Sequence, residues 1–137
     1  MDPISLAFLG DAFYELSVRR RLVESGRAHT ADKLHLAAVH YVKARSQAKA
    51  IRIIIEQGVL SDEEFDVVRK ARNRKPKTVP KNVDPLDYKL ATAFEALLGY
   101  HYADGRADRA EELTAMAMAV IDGGSLHCVL LRSGSEL

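Results

Sequence analysis

Ser5-Leu6-Ala7-Phe8-Leu9-Gly10-Asp11-Ala12-Phe13-Tyr14 holds one charge, Asp11, and no other charged residue falls between Pro3 and Glu15. As a helix, the segment puts positions three, four and seven apart on one face. Asp11 then shares a line with Ile4, Ala7, Val18 and Leu22, while a second line through Leu6, Leu9, Phe13 and Leu16 is also apolar. Such a helix is expected to be buried on most sides, with one carboxylate set into its apolar surface. A buried carboxylate without a partner costs several kcal/mol, so it must be protonated, paired or holding a cation. A counterpart lies downstream. In Leu90-Ala91-Thr92-Ala93-Phe94-Glu95-Ala96-Leu97-Leu98-Gly99-Tyr100, Glu95 is the only charge. On a helix it shares a face with Tyr88, Ala91, Thr92, Leu98, Gly99 and Tyr102. Two apolar helices, each carrying one acid, are the expected centre of the molecule.

The remaining segments read as helices around this pair. Asp2 and Pro3 suit the start of the first helix, which runs to about Glu24 and stops at Gly26. Thr30 caps the next stretch, which carries Leu34, Ala37, Ala38, Tyr41 and Val42 and resumes after a kink near Lys43 through Ala48, Ile51, Ile54 and Ile55 to Gly58. Ser61-Asp62-Glu63-Glu64 is a capping-box start for a helix with Phe65, Val68 and Ala71 on its inner face. Arg72 to Asn82 reads as a loop broken by Pro76 and Pro80. Asp84-Pro85 opens the helix of Glu95, Gly105 ends it, and a last helix spans about Ala107 to Ile121. No strand alternation or internal repeat is present. The fold class is all-α, with five to six helices.

A chain of 137 residues, 47% of them hydrophobic, accommodates one domain with a sizeable core. Residues 1–122 are expected to form that domain and 123–137 a flexible tail. The single cysteine, Cys128, excludes an internal disulfide. No apolar run approaches the roughly 18 residues of a membrane span, and no basic-then-apolar leader opens the chain. A cytoplasmic protein with no membrane partner is expected.

The net charge of +1 hides an uneven distribution. Arg69, Lys70, Arg72, Arg74, Lys75, Lys77 and Lys81 fall within thirteen positions that hold no acid. Such a proline-punctuated cationic loop suits a polyphosphate, because counterion release drives the binding and no base-specific geometry is needed. Asn73, Thr78 and Asn82 add neutral donors for phosphate or sugar. The other reading is a solvated surface loop. Arg19-Arg20-Arg21 forms a second basic cluster at the end of the first helix, where it also complements the helix dipole.

Asp11 and Glu95 admit two readings. If their helices pack, two adjacent carboxylates repel, and a divalent ion relieves the repulsion. Two carboxylates with waters and phosphate oxygens suit Mg²⁺, with Mn²⁺ as a substitute, and suit Zn²⁺ poorly. Alternatively each acid is paired with its own Arg or Lys. Glu15, one turn after Asp11, either joins the cluster or pairs with Arg19 at i,i+4. His29, His35, His40, His101 and His127 show no metal-binding spacing and read as ordinary helix or loop residues. Gly10 and Gly99, isolated within helices, mark close packing.

Phe8-Leu9-Gly10-Asp11-Ala12 resembles the signature helix of ribonuclease III, and Thr92-Ala93-Phe94-Glu95-Ala96-Leu97-Leu98-Gly99 resembles its second acidic motif. With Asn73…Thr78-Val79-Pro80-Lys81-Asn82 between them and no double-stranded-RNA-binding domain after them, the chain is most similar to the compact bacterial Mini-III branch. The resemblance spans about Leu6 to Ile121. It implies a homodimeric, all-helical endonuclease that cuts double-stranded RNA with Mg²⁺, leaving 5′-phosphate and 3′-hydroxyl ends. It also implies trimming of the large-subunit (23S) ribosomal RNA precursor, with ribosomal proteins as further candidate partners. Asp11 matches the signature aspartate and Glu95 the metal-binding glutamate. RNA contacts would come from Arg72, Asn73, Arg74, Lys75, Lys77, Thr78, Lys81 and Asn82. Full-length enzymes carry glutamates where this chain has Ile4 and Ala7, and an aspartate where it has Thr92; Mini-III members resemble this chain there. A helical RNA-binding or ribosome-assembly module that kept the fold and lost the chemistry is the alternative.

Overall fold

The structure is a computed structural model that describes residues 1–76 and 78–126. Six helices follow one another: α1 (Pro3–Ser25), α2 (Ala31–Val42), α3 (Ala44–Glu56), α4 (Asp62–Asn73), α5 (Pro85–Ala103) and α6 (Ala107–Ile121). No strand occurs among the described residues. Local chemistry sets the ends. The Asp2 carboxylate accepts from the amides of Ile4 and Ser5, and Gly26 closes α1 in the left-handed region at φ 68°. Thr30 caps α2, and the Ser61–Glu64 capping box opens α4. Lys43, in extended backbone, separates α2 from α3 at the position of the expected kink.

α5 lies at the centre and packs against α1, α3, α4 and α6. Its length is buried almost continuously from Leu90 to Gly99, which is why its sequence shows little polar alternation. Tyr14, Phe94, Ile51, Ile54, Leu97, Leu98, Leu113 and Met116 form the most deeply buried part of the core. Tyr14 meets Phe94 edge-on at 5.2 Å, and its hydroxyl donates to the Tyr41 carbonyl at 2.9 Å, so the ring is packed and its polar end satisfied.

The α1–α5 crossing is unusually close. A Cβ built on Gly10 would lie 1.7 Å from the Glu95 carbonyl oxygen, and one on Gly99 would lie 1.9 Å from the Leu6 carbonyl oxygen. Backbone therefore touches backbone, and any side chain at either glycine must push the helices apart. This contact carries the Asp11 segment onto the Glu95 segment.

Three expectations change. α1 is not buried on most sides: Ile4, Phe8, Leu16 and Val23 are exposed, Phe8 by 83%, and Asp11 itself is exposed. No other described element of the chain lies over that face. α4 continues through Asn73, so Arg72 and Asn73 end a helix rather than begin the loop. Leu126, placed in the expected tail, is buried and joins the core. Lys77, His127, Cys128 and the remainder of the tail lie outside the described residues. Among the described residues, no helix is long and apolar enough to cross a membrane.

Candidate metal centre and nucleic-acid interface

A cleft of about 360 Å³ opens between the start of α1, the end of α4, the following loop and the first half of α5. Asp11 and Glu95 both line it. The Asp11 carboxylate is near enough to act on the Glu95 carboxyl. Burial, and next the Asp11 carboxylate, push the Glu95 carboxyl up to about 9, with Glu15 adding to the effect from farther along α1. Among the described residues, neither Asp11 nor Glu95 forms an ion pair, so the reading that gives each acid its own cation does not hold. Glu15 is paired with Arg19 at 3.2 Å.

The surroundings explain why the pair stays at two. Ile4 and Ala7 line the cleft beside Asp11 and contribute no oxygen. Thr92 sits one turn before Glu95, but its hydroxyl donates to the Tyr88 carbonyl at 2.9 Å within its own helix. Among the described residues no cluster of three or more His, Cys, Asp or Glu side chains is arranged for a metal. The donor set fits Mg²⁺ all the same, since that ion takes one or two carboxylates and completes its shell with water and phosphate oxygens.

The cationic loop reaches the same cleft. Arg74, Pro76 and Thr78 line it, facing Lys89, Tyr88 and Thr92 of α5. Arg74 also approaches the Asp2 carboxylate at 3.6 Å, a long and exposed pair. Lys75, Lys81 and Asn82 are exposed, Asn82 in the left-handed region at φ 68°, which turns the chain towards α5. Arg72 is partly covered and Asn73 exposed at the end of α4. The other basic cluster is neutralised in place. Arg19 pairs with Glu15, Arg20 with Glu24 at 3.3 Å and Arg21 with Glu111 at 2.9 Å.

A model of the ribonuclease III domain matches residues 4–106. The Mini-ribonuclease 3 of Symbiobacterium thermophilum is 43% identical over 124 residues, covering 90% of this chain and 93% of the relative. The chain belongs to the Mini-III branch of the ribonuclease III family. The Mini-ribonuclease 3 of Brevibacillus brevis is 42% identical, with 90% of each chain covered. The fold of this Mini-III chain is similar to that of a crystallised Fusobacterium nucleatum protein, at a TM-score of 0.74 and 30% identity over 90% of this chain and 93% of that one.

Two residues that bear on the Mini-III cleft escape a reading by pattern. Lys89 lies six positions before Glu95, off its helical line, and reaches the cleft only because α5 starts beside the loop. Gln47 of α3, only 3% exposed and outside the cleft lining, moderates the rise in the Glu95 pKa. A lone glutamine inside an amphipathic helix gives no signal of such an effect.

Proposed function

We propose that the protein is a metal-dependent endoribonuclease that cleaves double-stranded RNA to 5′-phosphate and 3′-hydroxyl ends. The observation that carries the reading is one cleft lined by two neighbouring carboxyl groups, neither in an ion pair among the described residues, and rimmed by a loop rich in arginine and lysine. Asp11 and Glu95 would hold Mg²⁺, with Mn²⁺ as a substitute. When bound, the ion supplies a reactive water at neutral pH and offsets charge on the scissile phosphate. Glu95 is placed for this by the Gly10–Gly99 contact, and Thr92 leaves room rather than adding a third carboxylate. Arg74, Lys75 and Lys81, with Arg72 and Lys77, hold the backbone by charge, and Asn73, Thr78 and Asn82 donate to phosphate or sugar. Recognition would follow duplex shape, because side chains cannot read the deep major groove of A-form RNA.

The protein acts as a homodimer in this proposal. Ile4, Phe8, Ala12 and Leu16 recur every fourth residue on the exposed side of α1, and Phe8 also borders the cleft. An apolar stripe of this kind is suited to a two-fold contact with its own copy. Two clefts then serve the two strands of one duplex. Through the family resemblance we assign the large-subunit ribosomal RNA precursor as the natural substrate, in the cytoplasm.

Incubation with long double-stranded RNA, in Mg²⁺ or in EDTA, tests the reading. Metal-dependent shortening to fragments with 5′-phosphates is expected. Retarded but intact RNA would instead identify a non-catalytic binding module, and an unaffected duplex would remove RNA altogether.

A further inference from the structure

Lys89 of α5 lines the cleft together with Asp11 and Glu95. It is half-buried, and its ammonium forms no ion pair or hydrogen bond among the described residues. The acids nearest to it in sequence are engaged elsewhere. Asp84 caps α5, accepting from the amides of Leu86 and Asp87, and Asp87 faces Arg52 of α3 at 3.6 Å. Pro85, Leu86, Thr92 and Ala93 occupy the helical positions from which an acid could pair with Lys89. Arg74, the other cation of the cleft lining, approaches Asp2 at 3.6 Å. A partly buried cation without a partner is disfavoured, and near the start of a helix it gains nothing from the helix dipole. Local rules of this kind are broken mainly at functional sites.

Lys89 is also mounted differently from the cations of the loop. It stands on the second turn of α5, immediately before the buried stretch that begins at Leu90. A charge carried by a packed helix is placed more precisely than one carried by a loop. Six residues separate Lys89 from Glu95, a rise of roughly 9 Å along the helix axis. The ammonium therefore shares the cleft with the two acids without being held by either, and it remains open to an anion lying across the cleft.

We propose that Lys89 is a substrate-positioning residue: its ammonium holds a backbone phosphate next to the scissile one and so sets the scissile phosphate over the acidic pair. The inference rests on the nuclease reading above. The loop supplies attraction along the duplex, whereas Lys89 fixes the register of the reacting phosphate. Misplacement by about 1 Å costs on the order of a hundredfold in rate.

The test compares wild type, Lys89→Gln, Lys89→Met and Lys89→Arg on one end-labelled RNA duplex. RNA affinity is measured in EDTA, single-turnover cleavage at saturating protein in Mg²⁺, and Mn²⁺ binding without RNA from the electron paramagnetic resonance of the free ion. Lys89→Gln and Lys89→Met are expected to slow saturated cleavage by roughly 10–100-fold and to scatter the cut sites. The salt slope of binding should fall by only about one. Lys89→Arg keeps the charge and is expected to recover most of the rate and the original cut sites. Mn²⁺ affinity and melting temperature should stay at the wild-type values in all three variants. Saturated cleavage as fast in Lys89→Gln as in wild type would overturn the proposal, whatever happens to affinity. Equal slowing by Lys89→Arg would overturn it too, as would weaker Mn²⁺ binding in Lys89→Gln, which would trace the loss to a disturbed acidic pair. Wild type that leaves the duplex intact in Mg²⁺ would overturn the nuclease reading, and this proposal with it, before any variant is compared.

Discussion

Glu64 and Glu95 are both glutamates drawn in from the surface, and their surroundings treat them in opposite ways. Glu64 is caged by donors. Arg109 grips it with two bonds, at 2.9 and 3.1 Å, and His101 Nε2 lies 2.7 Å away. Arg106 donates to the His101 Nδ1 at 3.1 Å, so the ring proton sits on Nε2 and points at Glu64. The Ser61 amide completes the set at 2.9 Å. Burial alone would raise the Glu64 carboxyl, but Arg109, then the Ser61 amide and His101, outweigh it and hold it at about 2. Glu95 forms no ion pair among the described residues and faces a second acid, and its carboxyl is pushed up to about 9. Satisfied charge locks α4 to α5 and α6, and unsatisfied charge faces an open cleft. Among buried acids, the one left without a cation is the one available for chemistry.

Replacing the two acids in turn gives the largest expected contrast. Glu95→Gln should abolish cleavage and leave the melting temperature nearly unchanged, because a carboxyl raised to about 9 is already uncharged at neutral pH and the amide replaces one neutral group by another. Glu64→Gln should keep cleavage well below its melting temperature but cost about 3 kcal/mol, since Arg109 loses its buried partner. Cleavage assays with thermal melts on both variants check this, and a destabilised Glu95→Gln would break the comparison.

Gly10→Ala joins the two effects. Its Cβ needs roughly 3 Å and finds 1.7 Å, so α1 must move away from α5. About 2–3 kcal/mol of stability should be lost, and cleavage should fall on the order of a hundredfold as the acids separate. Chemical denaturation and single-turnover kinetics measure the two losses, and a loss of stability alone would show that the acids do not need the close crossing.

Acid sharpens the Glu64 side. Its folded carboxyl titrates at about 2 against an ordinary 4.5, so between these values the unfolded chain binds more protons. The Glu64 contribution is therefore complete above about pH 4.5 and disappears as the pH falls towards 2. The difference in melting temperature between wild type and Glu64→Gln should shrink through that window, and a constant difference would reassign the stability to packing. The smallest effect belongs to the rim. Replacing Arg74, Lys75 and Lys81 with Ala should flatten the salt dependence of RNA binding by roughly one unit of slope for each phosphate no longer neutralised. An unaltered slope would take the loop out of the interface.

Much of the fold is legible in the sequence because it is local. Asp2, Thr30, Ser61 and Asp84 cap helices with side chains that act within three residues, so neighbouring residues alone mark those starts. The break at Lys43 and the six helical spans follow from the same short-range chemistry. Asp11 and Glu95 stand out because each interrupts an apolar run. His101 does not, because its partner Glu64 comes from a helix that nothing in its own segment identifies. Glu64 is legible only as half of a capping box, a role it keeps while Arg109 holds the same carboxylate. The exposed stripe on α1 reads as buried, since apolar residues record that water is excluded somewhere and not by which chain.

By itself, then, the order of residues determined five to six helices, their caps and the two isolated acids, since each depends on periodicity or on neighbours a few positions away, and its motifs carried the family resemblance. Folding in three dimensions decided which acid would be neutralised and which left beside another, and which apolar face would remain open. Those outcomes depend on how closely α1 can approach α5, and that distance is set where Gly10 and Gly99, far apart along the chain, allow two backbones to touch.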